Sequence, residues 1–140
     1  MPPRNVSTSP AHRRLRSSEG QTLVEFAVVI PLVMLLLVGI FQLGRAYAES
    51  IQVTNAAREG ARRAIIGRNA TNGVQRVVTA AKNSTWSLDR ANMTVSVDQP
   101  APWIGGQDVA VTVTYPYSID ILGVVVASGM LSSSSTARVE

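Results

Sequence analysis

The stretch that decides the fold is Gly20-Gln21-Thr22-Leu23-Val24-Glu25-Phe26, and an almost purely apolar run follows it as far as residue 41. Residues 26–41 carry no charge, and residues 23–43 contain only Glu25 and Gln42 as strongly polar members. At about 1.5 Å per residue, residues 23–43 form roughly 32 Å of helix, close to the ~30 Å hydrocarbon core of a bilayer. The sequence therefore predicts a helix that is tethered in a membrane or passes through it.

Glu25 is unusual in such a helix. A carboxylate near the start of a membrane helix costs from about 1 to 3 kcal/mol, depending on its depth in the lipid. We therefore expect this side chain to have a compensating partner. Pro31 lies in the same run and removes one backbone donor, which a membrane helix tolerates with a slight kink.

The charge distribution predicts the orientation of this helix. The chain has a net charge of +4, and the segment before the apolar run contains four arginines and one glutamate: Arg4, Arg13, Arg14, Arg16 and Glu19. A cationic flank places the N-terminus in the cytoplasm and the C-terminal part across the membrane. Residues 1–19 are rich in Pro, Ser and Arg and show no apolar period, so we predict a disordered leader that is removed. A nucleic-acid arm needs denser charge with interleaved aromatic residues, so we expect no nucleic-acid partner.

The helical pattern continues beyond the apolar run. Apolar and small residues recur every three or four positions in a stripe about 140° wide, made of Leu43, Tyr47, Ile51, Thr54, Ala57, Ala61, Ala64 and Ile65. Polar residues are predicted on the opposite face: Arg45, Glu49, Gln52, Glu59 and Arg63. One helix over residues 22–66 would be roughly 68 Å long, with Gly67 as its stop. We expect the apolar stripe on the outer half of this helix to pack against a folded domain.

The remainder of the chain predicts one short helix and a small sheet. Residues 74–81 have the period of an amphipathic helix, capped by Thr71 or Asn72. The period then changes to 2, which predicts strands over residues 93–97, 109–115 and 131–139. Residues 119–130 are apolar but too short for a second span, so they are either core or a surface-lying piece. Helices first and strands afterwards predict an α+β fold with an antiparallel sheet of about three to four strands.

The residues that carry most enzyme chemistry are scarce. The chain has no cysteine, and its one histidine is His12, in the leader. The sequence contains no Ser/His/Asp arrangement and no phosphate-binding glycine loop after a strand. Its aspartates lack the spacing of a calcium loop. We therefore expect no enzyme activity, no metal and no cofactor, and we expect Trp86 and Trp103 to pack in the core or a loop.

The opening stretch resembles the cleavage signature of type IV prepilins. In those proteins a membrane aspartyl peptidase cuts after a glycine, and a glutamate is the fifth residue of the product. Glu25 is the fifth residue after Gly20, and Phe26 follows it as in the tight-adherence (Flp) pilins. With the motifs over residues 19–31, 41–47 and 55–62, the segment 18–66 resembles TadE-like minor pseudopilins.

This resemblance implies a pilin-like fold and a division of the chain into a basic prepilin leader (residues 1–20), a transmembrane helix (21–43) and an extracytoplasmic α+β pseudopilin domain (44–140). It implies cleavage between Gly20 and Gln21, with Glu25 and Phe26 acting in processing or assembly. The glutamate would face the new ammonium of a neighbouring subunit, which neutralises two charges that are costly in lipid. The implied partners are the membrane, a prepilin peptidase, other pilins and pseudopilins, and inner-membrane pilus assembly proteins.

Other interpretations of the N-terminus stay open. Ala46-Tyr47-Ala48 fits a signal-peptidase site, which would release a secreted domain. Arg13-Arg14 fits twin-arginine export less well, because its neighbouring residues differ. The apolar run also fits a plain single-pass anchor, with Glu25 snorkelling to the interface. Under these alternatives the chain is an independent envelope domain whose sheet binds a ligand.

Overall fold

The computed structural model describes the backbone of residues 16–67 and 70–140, and the side chains of residues 20–67 and 70–140. The elements are α1 (Arg16–Ile66), α2 (Gly73–Asn83), β1 (Thr94–Val97), β2 (Asp108–Ile121) and β3 (Val124–Arg138). A long apolar helix, a short helix and a three-stranded antiparallel sheet follow one another, which confirms the predicted α+β fold class. The chain divides into two compact units, Met1–Leu37 and Val38–Glu140.

The first unit contains the N-terminal part of α1. This helix begins at Arg16 instead of near residue 22, so residues 16–19, predicted as part of an irregular leader, are helical. No proline stands between residues 11 and 30, and nothing in the covalent backbone therefore ends the helix near Gly20. The rest of the predicted leader, residues 1–15, lies outside the described residues. Pro31 is contained within the helix.

The second unit contains the C-terminal part of α1, the short helix α2 and the three-stranded sheet. α1 ends at Ile66, and the backbone N–H of Gly67 donates to the carbonyl oxygen of Arg63 at 3.0 Å, as the predicted stop at Gly67 requires. Asn72 is the residue that precedes α2, although its side chain makes no capping hydrogen bond. α2 buries Val77 and Ala81 and leaves its polar face in solvent.

The sheet has the order β1-β2-β3 with antiparallel pairing throughout. β1 pairs with β2 from Thr94↔Thr114 to Val97↔Val111. The predicted alternation in β2 is confirmed, since Val109, Val111 and Val113 are fully buried while the residues between them are only partly covered. The β-branched side chains on one face of β2 thus form one side of the hydrophobic core.

Of the two alternatives for residues 119–130, the core is wrong, because these residues lie at the surface. These residues form the end of a long hairpin, because β2 and β3 stay paired from Asp108↔Arg138 to Ile121↔Val124. The two strands are joined by Leu122-Gly123, where both backbones have positive φ (54° and 83°). This is the geometry of a type I′ turn, whose twist matches that of the strands. The strands are therefore longer than the alternating valines alone predicted.

The face of α1 that enters the core consists mainly of small side chains. Among the described residues it comprises Gln52, Val53, Ala56, Ala57, Gly60, Ala61 and Ala64. At Gly60 the helix meets both other layers: a Cβ there would lie 2.9 Å from Val111 Cγ1 and 3.5 Å from Ala81 Cβ and Val77 Cγ1. The absence of a side chain at this position lets the helix backbone approach the sheet closely.

Gln52 is buried, and its placement on the polar face of the predicted helix is wrong. Its Nε2 donates to Ser87 Oγ at 2.7 Å, and its Oε1 accepts from the backbone N–H groups of Trp86 (3.2 Å) and Ser87 (3.1 Å). One amide therefore satisfies the backbone of the turn that follows α2 and fixes this turn against α1. Burial is tolerated because both ends of the amide are hydrogen-bonded.

Gly60→Ala is expected to destabilise the second unit although alanine favours helices. The helix-propensity gain is about 0.5–1 kcal/mol, whereas overpacking a filled core costs about 1–3 kcal/mol. The net loss in the free energy of unfolding should be about 1 kcal/mol, measured by chemical denaturation of the full chain in detergent micelles. Gly44→Ala is the matched control, because a Cβ there meets nothing within 4 Å. Equal stability of the two variants would show that Gly60 is not a packing constraint.

Gln52→Leu is expected to lower the free energy of unfolding by about 1–3 kcal/mol, since the backbone N–H groups of Trp86 and Ser87 lose their acceptor. The same change at the exposed Gln75, Gln75→Leu, is the control and should leave the denaturation midpoint nearly unchanged. Hydrogen exchange of the Trp86 and Ser87 amides checks the cause, because only Gln52→Leu should accelerate it. A stable Gln52→Leu variant with protected amides would contradict the assigned role.

Candidate processing and assembly segment

The apolar run is exposed along most of its length, and only Val38 and Gly39 in it are half-buried. All side chains from residue 20 to residue 37 are exposed, and the most apolar window of α1 contains no buried residue. Among the described residues, α1 is the one helix long and apolar enough to cross a membrane. So large an apolar surface needs a non-aqueous environment or partner helices. The single N-terminal apolar helix is consistent with a single-pass membrane anchor.

The predicted cleavage position lies at the start of this exposed segment. Gly20 is inside α1, and a Cβ built on it meets no atom within 4 Å. Gln21 and Phe26 are also exposed, so within the described part of the chain nothing covers the peptide bond after Gly20. Cleavage of this bond requires local unwinding of α1, since a protease binds its substrate in an extended form.

Glu25 and Gln21 share one face of the helix. Gln21 Nε2 donates to Glu25 Oε1 at 3.3 Å, as the i,i+4 spacing allows. The amide is neutral and leaves the negative charge of the carboxylate in place. Within the side chains that the structure describes, Glu25 takes part in no salt bridge. A cation that compensates Glu25 in lipid would have to come from outside residues 20–67 and 70–140.

The structure divides the predicted packing stripe between two environments. Ala57, Ala61 and Ala64 are buried in the core of the second unit. Thr54 and Ile65 are half-buried, whereas Leu43, Tyr47 and Ile51 are exposed by 62%, 71% and 42%. The face that packs within the chain is rotated from the predicted stripe towards Val53, Ala56 and Gly60. The large residues of the stripe are thus left on the surface of α1.

Charged residues of the outer half of α1 pair along the helix. Arg45 Nε contacts Glu49 Oε1 at 3.1 Å, and Glu59 contacts both Arg62 and Arg63 at 2.9 and 3.3 Å. The hydrogen bond from Arg62 lowers the pKa of Glu59, so this carboxylate stays ionised at a lower pH than an ordinary glutamate does. These pairs are partly exposed and contribute little stability each. They form a solvated face of the domain.

The other predicted features occupy separate places. Trp103 is buried, packs against Gly73 and donates its Nε1–H to the carbonyl of Gln99 at 3.2 Å, whereas Trp86 is exposed.

Within residues 20–67 and 70–140, no three His, Cys, Asp or Glu side chains lie close enough to hold a metal ion. A surface groove beside α1 and the hairpin, lined partly by Arg45, Glu49 and Tyr115, has a volume of about 610 Å³.

The described structure thus combines a long, exposed apolar helix that carries a Gly-x-x-x-x-Glu motif with a small α+β domain. Residues 20–62 match the family model described as TadE-like protein. The resemblance to TadE-like proteins is therefore confirmed over that segment. The match suggests involvement in tight-adherence (Tad) pilus systems. No curated protein and no solved structure matches the chain.

Sequence reasoning missed two features of this molecule. Gln52 gave no signal, because a glutamine between Ile51 and Val53 fits a solvated helix face as well as a buried one. The hairpin over residues 108–138 gave a weak signal, since Leu122-Gly123 carries only one of the two residues typical of a type I′ turn. Regular spacing predicts periodic elements better than single buried contacts.

Proposed function

We propose that this chain is a minor pseudopilin of a tight-adherence type IV pilus or secretion assembly. It is made as a precursor, cut after Gly20 by a prepilin peptidase, and held in the bacterial inner membrane by a single helix. Its N-terminus lies in the cytoplasm and its α+β domain outside. The processed subunit initiates, caps or decorates the pilus, and so contributes to pilus biogenesis and surface adherence.

The observation that carries this proposal is the coincidence of motif and family match. The TadE-like match begins at Gly20 itself and extends through the apolar run to residue 62. A plain anchor has no need of a glycine at that position or of a glutamate five residues later. The open environment of Gly20 supports the proposal further, because a peptidase needs access to the bond that it cuts.

The proposed role of Glu25 follows from electrostatics in lipid. Among the described side chains, the carboxylate accepts a hydrogen bond only from the neutral amide of Gln21, so no described side chain offsets its charge. Cleavage after Gly20 creates an ammonium at Gln21, which is equally costly in lipid. Pairing this ammonium with Glu25 of a neighbouring subunit removes both costs and fixes the axial stagger between the two helices. Processing and assembly are then coupled by one ion pair.

In this proposal the chain is a substrate and a building block, with no catalytic role. Prepilin peptidase acts on Gly20 and Gln21, and other pilins pack against the exposed apolar run and Phe26. The exposed part of the stripe, Leu43, Tyr47 and Ile51, offers further apolar surface to neighbouring subunits. Inner-membrane assembly proteins are the remaining partners.

The secreted-domain alternative is less well supported by the structure. Residues 46–48, the alternative signal-peptidase site, lie in the middle of α1, and the domain packs on the helix on both sides of them. Gln42 donates to the carbonyl of Asp120, and Gln52 fixes the turn after α2. Cleavage after Ala48 would remove the first of these contacts. The mature N-terminus distinguishes the alternatives, being Gln21 in our proposal and Glu49 in the other.

Gly20→Lys should abolish processing, and Gly20→Ala should reduce it. Since the leader is 20 of 140 residues in a 14.9 kDa chain, the uncut precursor should stay about 2 kDa heavier on a gel and in intact-mass spectra. Space around Gly20 is open, so neither variant should disturb the fold. Gly44→Ala serves as the control and should be processed normally. A Gly20→Lys protein that matures to the wild-type mass would contradict cleavage at this position.

Glu25→Gln and Glu25→Val should both insert into the membrane but assemble poorly, because neither retains the charge that pairs with an ammonium. Glu25→Gln keeps the shape and the hydrogen-bonding capacity, so it isolates the effect of charge. Incorporation into sheared pili and membrane fractionation are the two measurements. Glu49→Gln, which removes a carboxylate beside Arg45 outside the apolar run, is the control. Wild-type incorporation of both Glu25 variants would leave this residue without a role in assembly.

A further inference from the structure

The end of the long hairpin, residues 119–130, is called here the hairpin tip, and its surface is apolar. Five large side chains are mostly exposed there: Leu122, Val124, Val125, Val126 and Met130. The other half of the same hairpin contributes Val109, Val111 and Val113 to the core and leaves none of them in solvent. These five side chains therefore lie beyond the core of their own domain, and the described part of the chain leaves them mostly uncovered. Exposed apolar patches of this kind mark interaction sites.

The hairpin tip is also almost free of charge. Between residues 109 and 137 the one ionisable acid is Asp120, and no lysine or arginine occurs. The Asp120 carboxylate is turned into the hairpin, where Oδ1 accepts from the backbone N–H of Gly123 at 3.0 Å. Edge strands of soluble proteins usually carry lysines or other charges that prevent association. Their absence here indicates that the tip is not adapted to bulk water.

Leu122 is the least expected residue of the turn. It has a φ of 54°, a conformation that costs a leucine roughly 1–2 kcal/mol and that asparagine or glycine adopts more easily. Its side chain is 81% exposed and so gains nothing from the core. A leucine that is both strained and exposed in the isolated chain is explained if its side chain is buried in something outside the chain.

The hairpin tip is fixed to α1 at one particular level. Gln42 Nε2 donates to the carbonyl oxygen of Asp120 at 2.7 Å. Gln42 directly follows the uncharged run of residues 26–41, and the first charged residue after it is Arg45. In a helix that spans a membrane, the residue at the end of the uncharged run lies at the boundary between lipid and water. The contact partner of Gln42 must lie at that boundary too.

We propose that the hairpin tip inserts into the interfacial layer of the same membrane that holds the apolar run. This inference rests on the membrane anchor of the proposed function. Lipid is the occupant that fits the position next to Gln42, the absence of charge and the aliphatic side chains of the tip. The domain is then held at two points, by α1 and by the hairpin tip, which restricts its tilt and rotation relative to the membrane.

The open edges of the hairpin limit how deeply the tip inserts. β1 pairs with β2 only as far as Thr114, and in the described part of the chain no strand lies beyond β3. Both edges of the two-stranded part therefore carry backbone groups that still need water or lipid headgroups. Aliphatic side chains can enter the upper acyl region while these backbone groups stay among the headgroups. The tip is an interfacial anchor and does not span the membrane.

The chain has no cysteine, so single-cysteine variants report one position each. The full chain is reconstituted into vesicles of phosphatidylethanolamine and phosphatidylglycerol, with the fluorophore NBD at Val125→Cys, Thr136→Cys or Leu35→Cys. Phosphatidylcholine brominated near the headgroup or near the acyl terminus acts as a quencher. Leu35→Cys tests the apolar run, and the exposed Thr136→Cys is the matched control on β3, away from the tip.

We expect loss of NBD fluorescence at Val125→Cys with the shallow quencher, loss at Leu35→Cys with the deeper one, and none at Thr136→Cys. Quenching at Leu35→Cys without quenching at Val125→Cys would overturn the tip inference and leave the anchor intact. A blue-shifted Val125→Cys signal that brominated lipid does not quench would show that protein covers the tip, and would also overturn it. No quenching at either position would overturn the anchor and the tip together.

A second variant separates lipid contact from folding. Leu122→Asn places a residue that accepts positive φ in the turn and removes the aliphatic side chain. In the Val125→Cys background it should leave the thermal unfolding temperature equal or higher, while shallow quenching at the label decreases. Unchanged quenching would overturn the assignment of Leu122 to the lipid. A lower unfolding temperature would show that Leu122 supports the fold of its own chain and would count against the inference.

Discussion

The close approach of α1 to the sheet is the contact on which the domain depends. A helix with valine-sized side chains along this face could not lie as near to Val111 as Gly60 does. Alanines on either side of Gly60 have small side chains, so the larger apolar side chains of the core come mostly from other elements, among them the valines of β2, Val77 of α2 and Trp103. Gln52 adds a polar contact that fixes the turn after α2. Small residues on the helix and branched residues on the strand are complementary.

This arrangement leaves two apolar surfaces largely without cover from the described part of the chain. One is the run of residues 26–41 on α1, and the other is the hairpin tip. Both adjoin Gln42, whose hydrogen bond to Asp120 joins the end of the run to the end of the hairpin. In our proposals, a membrane beside Gln42 covers both surfaces, and the ammonium of a neighbouring subunit pairs with Glu25. Under our proposals, lipid and other subunits complete these apolar surfaces.

The sequence was most informative where residues repeat. Period 3.6 along α1 and period 2 along Val109, Val111 and Val113 come directly from backbone geometry, and both elements are present where those periods occur. The motif from Gly20 to Phe26 was equally informative, since it indicated the resemblance to TadE-like proteins, and the family match begins at the same glycine. The helix face was predicted less well. Large apolar residues such as Leu43 and Tyr47 dominate the period, yet they are exposed, because the sheet requires small residues opposite it.

The sequence alone determined the apolar helix, the order of helices before strands and the charge at Glu25, since each depends on local composition and spacing. Only the tertiary structure decided which face of α1 is buried, that Gln52 is inside, and that residues 119–130 are the end of a hairpin bonded to Gln42. These features depend on residues distant in the chain being close in space. A local period cannot specify that, because one pattern allows several packing partners.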